Sequence, residues 1–516
     1  MSKQKSTTSD RRPAADLTQS APAPDEFRRL FRRCAWYVIA GAVVFAVLMA
    51  LLSWMHYRAY FGGRFDLGNM VQAVYNTAHG HFLQITTADL KPRQMSRLGV
   101  HVDPILAFFA LPWLAWPSPV MLLVLQAVIV ALAAWPAYRI AARVLKDPRL
   151  AALLTGALLL FPPLQFAVLD EFHPVTLAIP FLLFAFLYME EDRLWRALPF
   201  IVLAAICKEE ISLVLVVMAL YFALRKRSWR PLLVAVGAAA YFAIAVWVII
   251  PHFNHGASPF IGRYAAFGSS AGGILKNLFV HPEKAIRDLV AYANLRYWFR
   301  LLWPFGFASL LSPLTLLIAA PEYLINGLST QVAQRSIAFQ YVAAEVPFLF
   351  AAAVFGIARL QGWFGVVHVG RRGHAVRDRV RLETLALLVL VASLAGNYLM
   401  GPLPFSLPGA KYNGKAYAAS YHDTVINEAI KLIPKNAVIT VGNNIGSHLS
   451  ARRTIYVFPY YAHSQYVVVD ETRPFWYDEI NAKLHKEALG VLVMDTAQFQ
   501  NIFARDQVYV FKRLSE

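Results

Sequence analysis

Between residues 34 and 400 the chain runs through long apolar stretches separated by short polar breaks. The first stretch, "CAWYVIAGAVVFAVLMALLSWM" (34–55), is long enough to cross a bilayer as one helix. Runs at 118–138, 150–169, 174–189, 195–207, 211–224, 231–250, 296–311, 313–327, 341–359 and 382–400 predict about eleven spans in all, some of them short. One run breaks the series. "ILAFFALPWLAW" (105–116) is bounded by Pro104 and Pro117 and is too short to span, so it reads as a helix lying on the membrane surface or re-entering it. The stretch 56–117 is then one long loop carrying its own helices. A second interfacial helix is expected over 272–299, which ends in Trp, Tyr and Phe.

From about Lys411 the pattern changes. Five β-rich runs, at 437–442, 454–458, 466–470, 489–495 and 507–513, are preceded or separated by helical patterns over Tyr421–Ile433 and Phe475–Ala488. This predicts a small α/β domain over residues 411–516. At the other end the first 27 residues are rich in Ser, Thr, Pro, Ala and charge, and are expected to be a disordered tail. The first apolar run is too long for a signal peptide and lacks a cleavage site. No repeat of solenoid length is visible.

Composition supports the membrane reading: 58% of the 516 residues are hydrophobic and 16% are charged, against about 25% charged in an average soluble domain. The formal net charge of +18 would suggest nucleic acid in a soluble chain. Here the cations gather in short loops, as the positive-inside rule requires: "RRLFRR" (28–33), Arg139 to Arg149, Arg225 to Arg230, and Arg371 to Arg381. Nucleic acid is therefore not an expected partner. The same loops place the N-terminus in the cytoplasm and, with an odd span count, residues 56–117 and 411–516 outside a plasma or inner membrane. Cys34 and Cys207 both lie in apolar runs, so no disulfide framework is implied.

On this topology the ionisable residues near the outer face are Asp66 in "RFDLGN", His101 and Asp103 in "HVDP", and Asp170, Glu171 and His173 in "LDEFHP". Lys208, Glu209 and Glu210 in "CKEE", Arg263 in "FIGRY" and Glu322 in "APEYLIN" complete the set. Charges at bilayer depth are costly unless they line a cavity, so their convergence on one side points to chemistry at the membrane surface. Each also has a plain structural reading. A charge in a loop is usually solvated, and Asp66 can simply cap a helix over Leu67–Thr77. His79 and His81 flank Gly80 at a helix end and read as structural. "GNNIGSH" (442–448) has neither P-loop nor dinucleotide spacing and reads as a strand-to-loop turn, with His448 a weak substrate candidate.

A long outer loop with an early Asp, acids in a short second outer loop and a span ending near a Lys together resemble the GT-C membrane glycosyltransferases, which use polyprenyl-phosphate sugars. Closer still, "FDLGN", "HVDPIL", "EFHPVTLAIP", "KEE", "APEYLINGLS" and "NNIGSHLSARR" resemble a bacterial family of predicted membrane proteins of unknown function, over nearly everything from residue 56 onward. That family's usual Lys-Glu-Asp stands here as Lys208, Glu209 and Glu210.

The GT-C resemblance implies a GT-C-like multi-pass helical fold and inverting transfer of a sugar from a polyprenyl-phosphate donor in the membrane to an extracytoplasmic acceptor. It implies Asp66 as the general base. Lys208 and Arg263, with Arg335 behind them, would face the leaving phosphate. His101, Asp103, Glu171, His173, Glu209 and Glu322 become substrate-binding candidates. No cofactor is required by it. Two His plus carboxylates are compatible with a divalent Mg or Mn, but no ligand spacing demands one. The rival classes are a transporter or flippase, which matching inverted halves would favour and which this chain does not show in sequence, and a membrane scaffold with an outer binding domain.

Overall fold

The computed structural model describes residues 24–366, 375–407, 414–474 and 476–514. The basic segment Arg371–Arg381 lies outside the described residues or their described side chains, as does most of the N-terminal tail.

Apolar helices dominate. Pro24–Arg58 is a single helix of 35 residues, with Asp25 and Glu26 in its first turn and His56 and Arg58 in its last, which complements the helix dipole at both ends. Residues 24–27, expected within the tail, form its first turn. The helices from Pro119 and Pro148 start alike. The Ser118 hydroxyl accepts from the Val120 N–H and the Asp147 carboxylate from the Arg149 N–H, each just before a proline whose missing N–H costs nothing at a first helical position.

By length and composition, four described helices could cross a membrane: Pro24–Arg58, Pro119–Leu145, Arg230–Asn254 and Glu383–Met400. The pair Pro148–Leu159 and Pro162–Leu169, bent by 46° where Pro162 and Pro163 interrupt the ladder, makes a fifth if it is one span. Others, among them Pro174–Glu190, Leu194–Ala205 and Val346–Leu360, are apolar but of only 10–17 residues. Among the described residues, then, fewer than the expected eleven helices are long and apolar enough to be uninterrupted spans. The expected spans 296–311 and 313–327 break into short helical pieces, because Pro304, Pro313 and Pro321 remove donors and both Gly306 and Phe307 take left-handed backbone angles. The expected helix 272–299 is likewise three, Ala271–Val280, Pro282–Leu289 and Tyr292–Leu302. Residues 104–115 form one 3₁₀ stretch and a short helix with Phe108, Leu111 and Leu114 exposed.

Polar loops gather at both ends of the helical body. At one end, Arg139 pairs with Glu191 (2.5 Å), Arg225 with Glu190 (2.6 Å) and Lys226 with Asp192 (2.9 Å), so three connections meet there. The candidate functional residues lie at the other end of the same helices.

The stretch 56–117 contains a small antiparallel ladder that its sequence did not announce, β1 (Gln84–Thr86) with β2 (Gln94–Ser96). The C-terminal region is a five-stranded mixed sheet. Its strands are β3 (Ile439–Val441), β4 (Ile455–Val457), β5 (Tyr466–Asp470), β6 (Phe499–Arg505) and β7 (Val508–Arg513), in the order β4-β3-β5-β7-β6. Both β4 and β5 run parallel to β3; β7 is antiparallel to β5 and to β6.

The run 489–495, expected to be a strand, is the end of the helix Ala482–Met494. A short apolar run has no periodicity to separate the two, and here Leu492 packs with Phe458, Val467 and Phe511 on one face of the sheet. The strand in its place is β6, whose sequence "FQNIFAR" carries too many polar residues to announce itself. "NNIGSHL" is the helix Asn443–Leu449, not a strand-to-loop turn. On the opposite face Val425, Ile426 and Ala429 of the helix Tyr421–Lys431 pack on Ile439 and Val468.

The helix Ala482–Met494 is held by His485, whose Nε2 lies 2.5 Å from Glu471 and Nδ1 3.6 Å from Asp478. Burial opposes the imidazolium, but the two carboxylates outweigh it and push His485 from 6.5 up to about 9. A raised folded pKa means protons bind the folded state more tightly. This contribution is therefore complete below pH 6.5 and is lost as pH rises through about 9. Proteolytic release of the C-terminal domain should accelerate across that window, and His485→Gln should flatten the profile.

Candidate functional site

Asp66 sits inside a single turn of π-helix, Arg64–Gly68, that leads into the helix Asn69–Ala78. The residues before the two helical stretches are glycines, Gly63 and Gly68, which have no side chain to cap with. The carboxylate that satisfies the turn is Glu171. Its Oε1 accepts from the Gly63 N–H at 3.0 Å and its Oε2 from the Leu67 N–H at 2.7 Å, two donors that would otherwise be orphaned. Glu171 reaches them by adopting φ +60°, a left-handed angle costing a residue with a Cβ about 1–2 kcal/mol. Burial drives the Glu171 carboxyl well above the usual range and the charge of Asp66 adds to this, against the two N–H bonds.

Asp66 itself is partly exposed and faces a histidine. Its side chain is 45% exposed, and Oδ1 lies 3.3 Å from Nε2 of His173, which is 6% exposed. His173 is fixed by its backbone, whose N–H donates to Gln126 Oε1 at 2.9 Å, while Gln126 Nε2 donates to the carbonyls of Val168 and Glu171. Neither ring nitrogen of His173 has a hydrogen-bond partner among the described residues. A buried imidazole beside a half-exposed carboxylate is an arrangement that can hold or pass a proton.

A second group of charges lies just before the helix Ile211–Lys226. Lys208 Nζ lies 2.5 Å from Glu210 and 5.9 Å from the centre of the Tyr341 ring. Burial opposes its charge, yet Glu210, Glu209 and Glu322 outweigh burial and raise its pKa. Burial acts most strongly on the phenol of Tyr341, which also lies in the fields of Arg263, Asp66, Lys208 and Asp170. Arg263 donates to Gln334 Oε1 at 3.2 Å and stacks on Phe260, whose other contact is the His101 ring at 4.5 Å. Arg335, on the neighbouring 3₁₀ turn, has its Nε buried with no partner among the described residues.

His101, Asp103 and Glu209 join the loop to the helix ends. His101 Nδ1 lies 2.9 Å from Glu209 Oε1, and Glu209 Oε2 accepts from the Val102 N–H. Burial alone would raise Glu209, but His101 and Lys208 outweigh it and hold the acid down at about 2. Asp103 is buried with Oδ2 2.7 Å from Arg97, and burial lifts it to about 6 against that guanidinium. Glu322 is also buried, its Oε2 without a hydrogen-bond partner among the described residues, and it lies in the opposing fields of Glu210 and Lys208. His448 stacks between Tyr57 (3.9 Å) and Tyr60 (4.1 Å) and its Nε2 contacts the Tyr57 carbonyl. It is a packing residue.

Sequence reasoning passed over Tyr341, Arg97, Gln126 and Asn443. A lone Tyr or Gln in an apolar run carries no local signal, and Arg97 is unremarkable until Asp103 is seen beside it. No three His, Cys, Asp or Glu side chains among the described residues gather so as to hold a metal ion. Asp66 and His173 alone do not make a ligand set, because both oxygens of Glu171 are already engaged.

The whole is a helical membrane protein with a small C-terminal sheet and a charged site where helix ends meet a polar loop. Residues 57–500 match the family described as predicted membrane protein (DUF2079), and the chain belongs to it. No curated protein matches the chain.

The Arg97–Asp103 pair gives a direct test of how the loop is held. Arg97→Ala strands a buried carboxylate and should cost about 3–5 kcal/mol, whereas Arg97→Met with Asp103→Leu should cost far less. Thermal unfolding of the detergent-solubilised variants measures the difference, and equal losses would show the pair is not a buried charge problem.

Proposed function

We propose that this protein transfers a sugar from a polyprenyl-phosphate donor to an acceptor hydroxyl at the outer face of a plasma or inner membrane. The observation that carries the reading is the half-exposed Asp66 carboxylate 3.3 Å from buried His173, with Lys208 over the Tyr341 ring at 5.9 Å and Arg263 within the field of the same ring. Asp66 takes the proton of the acceptor hydroxyl as that oxygen attacks the anomeric carbon. The new C–O bond forms as the bond to the lipid phosphate breaks on the opposite side, so the configuration inverts and the phosphate leaves with the electron pair. His173 steadies Asp66 through the change in charge. Lys208, Arg263 and Arg335 offset the charge on the leaving phosphate, a role that gains strength where water is excluded. A positioned carboxylate of this kind supplies about 10²–10⁴-fold. Glu171, Glu209 and Asp103 serve by fixing the loop, and His101 by stacking on the Phe260 that Arg263 covers. No step needs a metal held by these side chains.

A second reading, a transporter or flippase, draws on one observation. Glu345, buried at the start of the apolar helix Val346–Val366, accepts from the Tyr297 hydroxyl (2.5 Å) and from Asn326 (3.0 Å), and intramembrane acids are functional by default. Movement of a fluorescent polyprenyl-phosphate sugar across proteoliposomes without hydrolysis or transfer would favour it.

Two measurements test the proposal. Asp66→Asn keeps shape and removes basicity, so transfer from a radiolabelled polyprenyl-phosphate hexose or pentose in membranes should fall about a hundredfold or more. Unchanged turnover in a folded variant sinks the base assignment. For topology, Lys483→Cys places a thiol at an exposed position of the C-terminal domain, while Cys34 and Cys207 are buried. An impermeant maleimide added to intact cells should label it; protection until lysis would put the domain inside.

A further inference from the structure

Two motifs some 380 residues apart in sequence meet at the Asp66 turn. The helix Asn443–Leu449 of the C-terminal domain packs directly on residues 62–68. Asn443 Oδ1 accepts from the Phe65 N–H at 3.0 Å, and the Ser447 hydroxyl donates to the Gly62 carbonyl at 2.7 Å. Asn443 is 1% exposed. The fit leaves no room for a methyl group on either side: a Cβ on Gly63 would lie 2.7 Å from Asn443 Nδ2, and one on Gly446 would lie 2.3 Å from Arg64 Cβ. Around this contact Gln72 donates to the Arg453 carbonyl, Tyr60 to Asn427, and Arg473 to the Ala59 carbonyl. Glu171 holds the turn through the N–H groups of Gly63 and Leu67. Asn443 holds the amide between them. Three successive alternate N–H groups, those of Gly63, Phe65 and Leu67, are thus claimed by side chains from two distant parts of the chain.

We infer that the C-terminal domain is a working part of the Asp66 site, and that Asn443 is the positioning residue through which it fixes the turn. The domain does not merely recognise an acceptor at a distance. Loss of the Asn443 bond frees one amide of the turn while Glu171 still holds the other two, so Asp66 and His173 drift out of register without the site coming apart. The catalytic consequence rests on the glycosyl-transfer reading; the structural one does not.

The test uses the full-length protein in lipid nanodiscs and two readouts. The first is hydrogen–deuterium exchange in peptides spanning residues 60–70. With Asn443→Ala the exchange there should quicken by about tenfold, as expected for loss of one buried hydrogen bond, while β5 keeps its protection. Asn443→Asp retains an acceptor for the Phe65 N–H and should restore slow exchange. Gly446→Ala, which pushes on Arg64 from the same helix, should quicken exchange as Asn443→Ala does. The second readout is transfer from a radiolabelled polyprenyl-phosphate hexose or pentose. In Asn443→Ala, kcat should fall about ten- to a hundredfold, with donor KM within about twofold of wild type.

Wild-type exchange at residues 60–70 in Asn443→Ala overturns the inference. Faster exchange spread through the whole C-terminal sheet also overturns it, since the residue would then only stabilise its own domain. Should the wild-type protein transfer no sugar at all, the glycosyl-transfer reading falls, and the exchange arm still decides whether Asn443 fixes the turn.

Discussion

Glu171 accepting the N–H groups of Gly63 and Leu67 is the interaction on which the site depends. Helix starts leave backbone donors unpaired, and buried ones cost about 1–3 kcal/mol each. Most proteins meet this with a Ser, Thr, Asn or Asp just before the helix. Here the positions are glycines, and the acceptor is borrowed from the loop after Leu169. The arrangement accepts a strained backbone at Glu171 and a buried acid, while the Asp66 carboxylate on the same turn stays about half exposed.

The glycines explain the rest of the packing. With no Cβ at Gly63, Gly68 or Gly446, the π-helical turn and the helix Asn443–Leu449 approach until backbone and side chain touch. Arg64 fills the space between them, fully buried, donating to Gln72 and to the Thr86 carbonyl, with no ion pair to a carboxylate among the described residues; burial lowers it to about 9. The domain boundary near residue 411 is therefore one of chain pattern, not of contact. Residues 56–117 and the C-terminal sheet form one polar cap over the helix ends, joined further by Gln94 donating to Thr454.

Charge is sorted along the helices. The end that gathers Arg139, Arg225 and Lys226 spends them on Glu190, Glu191 and Asp192 in simple ion pairs. The opposite end holds more elaborate sets, in which Glu209 serves His101 and a backbone amide at once, and Lys208 is shared among three acids. Groups satisfied by a single partner stabilise a loop. Groups whose buried nitrogens have no hydrogen-bond partner among the described residues, such as His173 and Arg335, are the ones available to a ligand.

Much was legible in the sequence. Long apolar runs must be helices in a bilayer, because only a helix satisfies its own backbone there, and family motifs such as "FDLGN" and "EFHP" marked residues that do converge. The prolines and glycines of 296–327 were equally visible, but whether they kink a span or dissolve it depends on what packs alongside. A seven-residue apolar run such as 489–495 carries no period long enough to separate strand from helix, and the neighbouring sheet made the choice. That Glu171 accepts the N–H groups of the Asp66 turn could not be read at all. Asp66 and Glu171 are each adjacent to a plausible helix start, and only the path of the chain brings Glu171, from 104 residues away, onto the Leu67 amide. The same holds for Asn443. Sequence determines local backbone preference and the bill of hydrophobic burial; tertiary contact alone decides which polar atom meets which donor, because hydrogen bonds are won by proximity and not by composition.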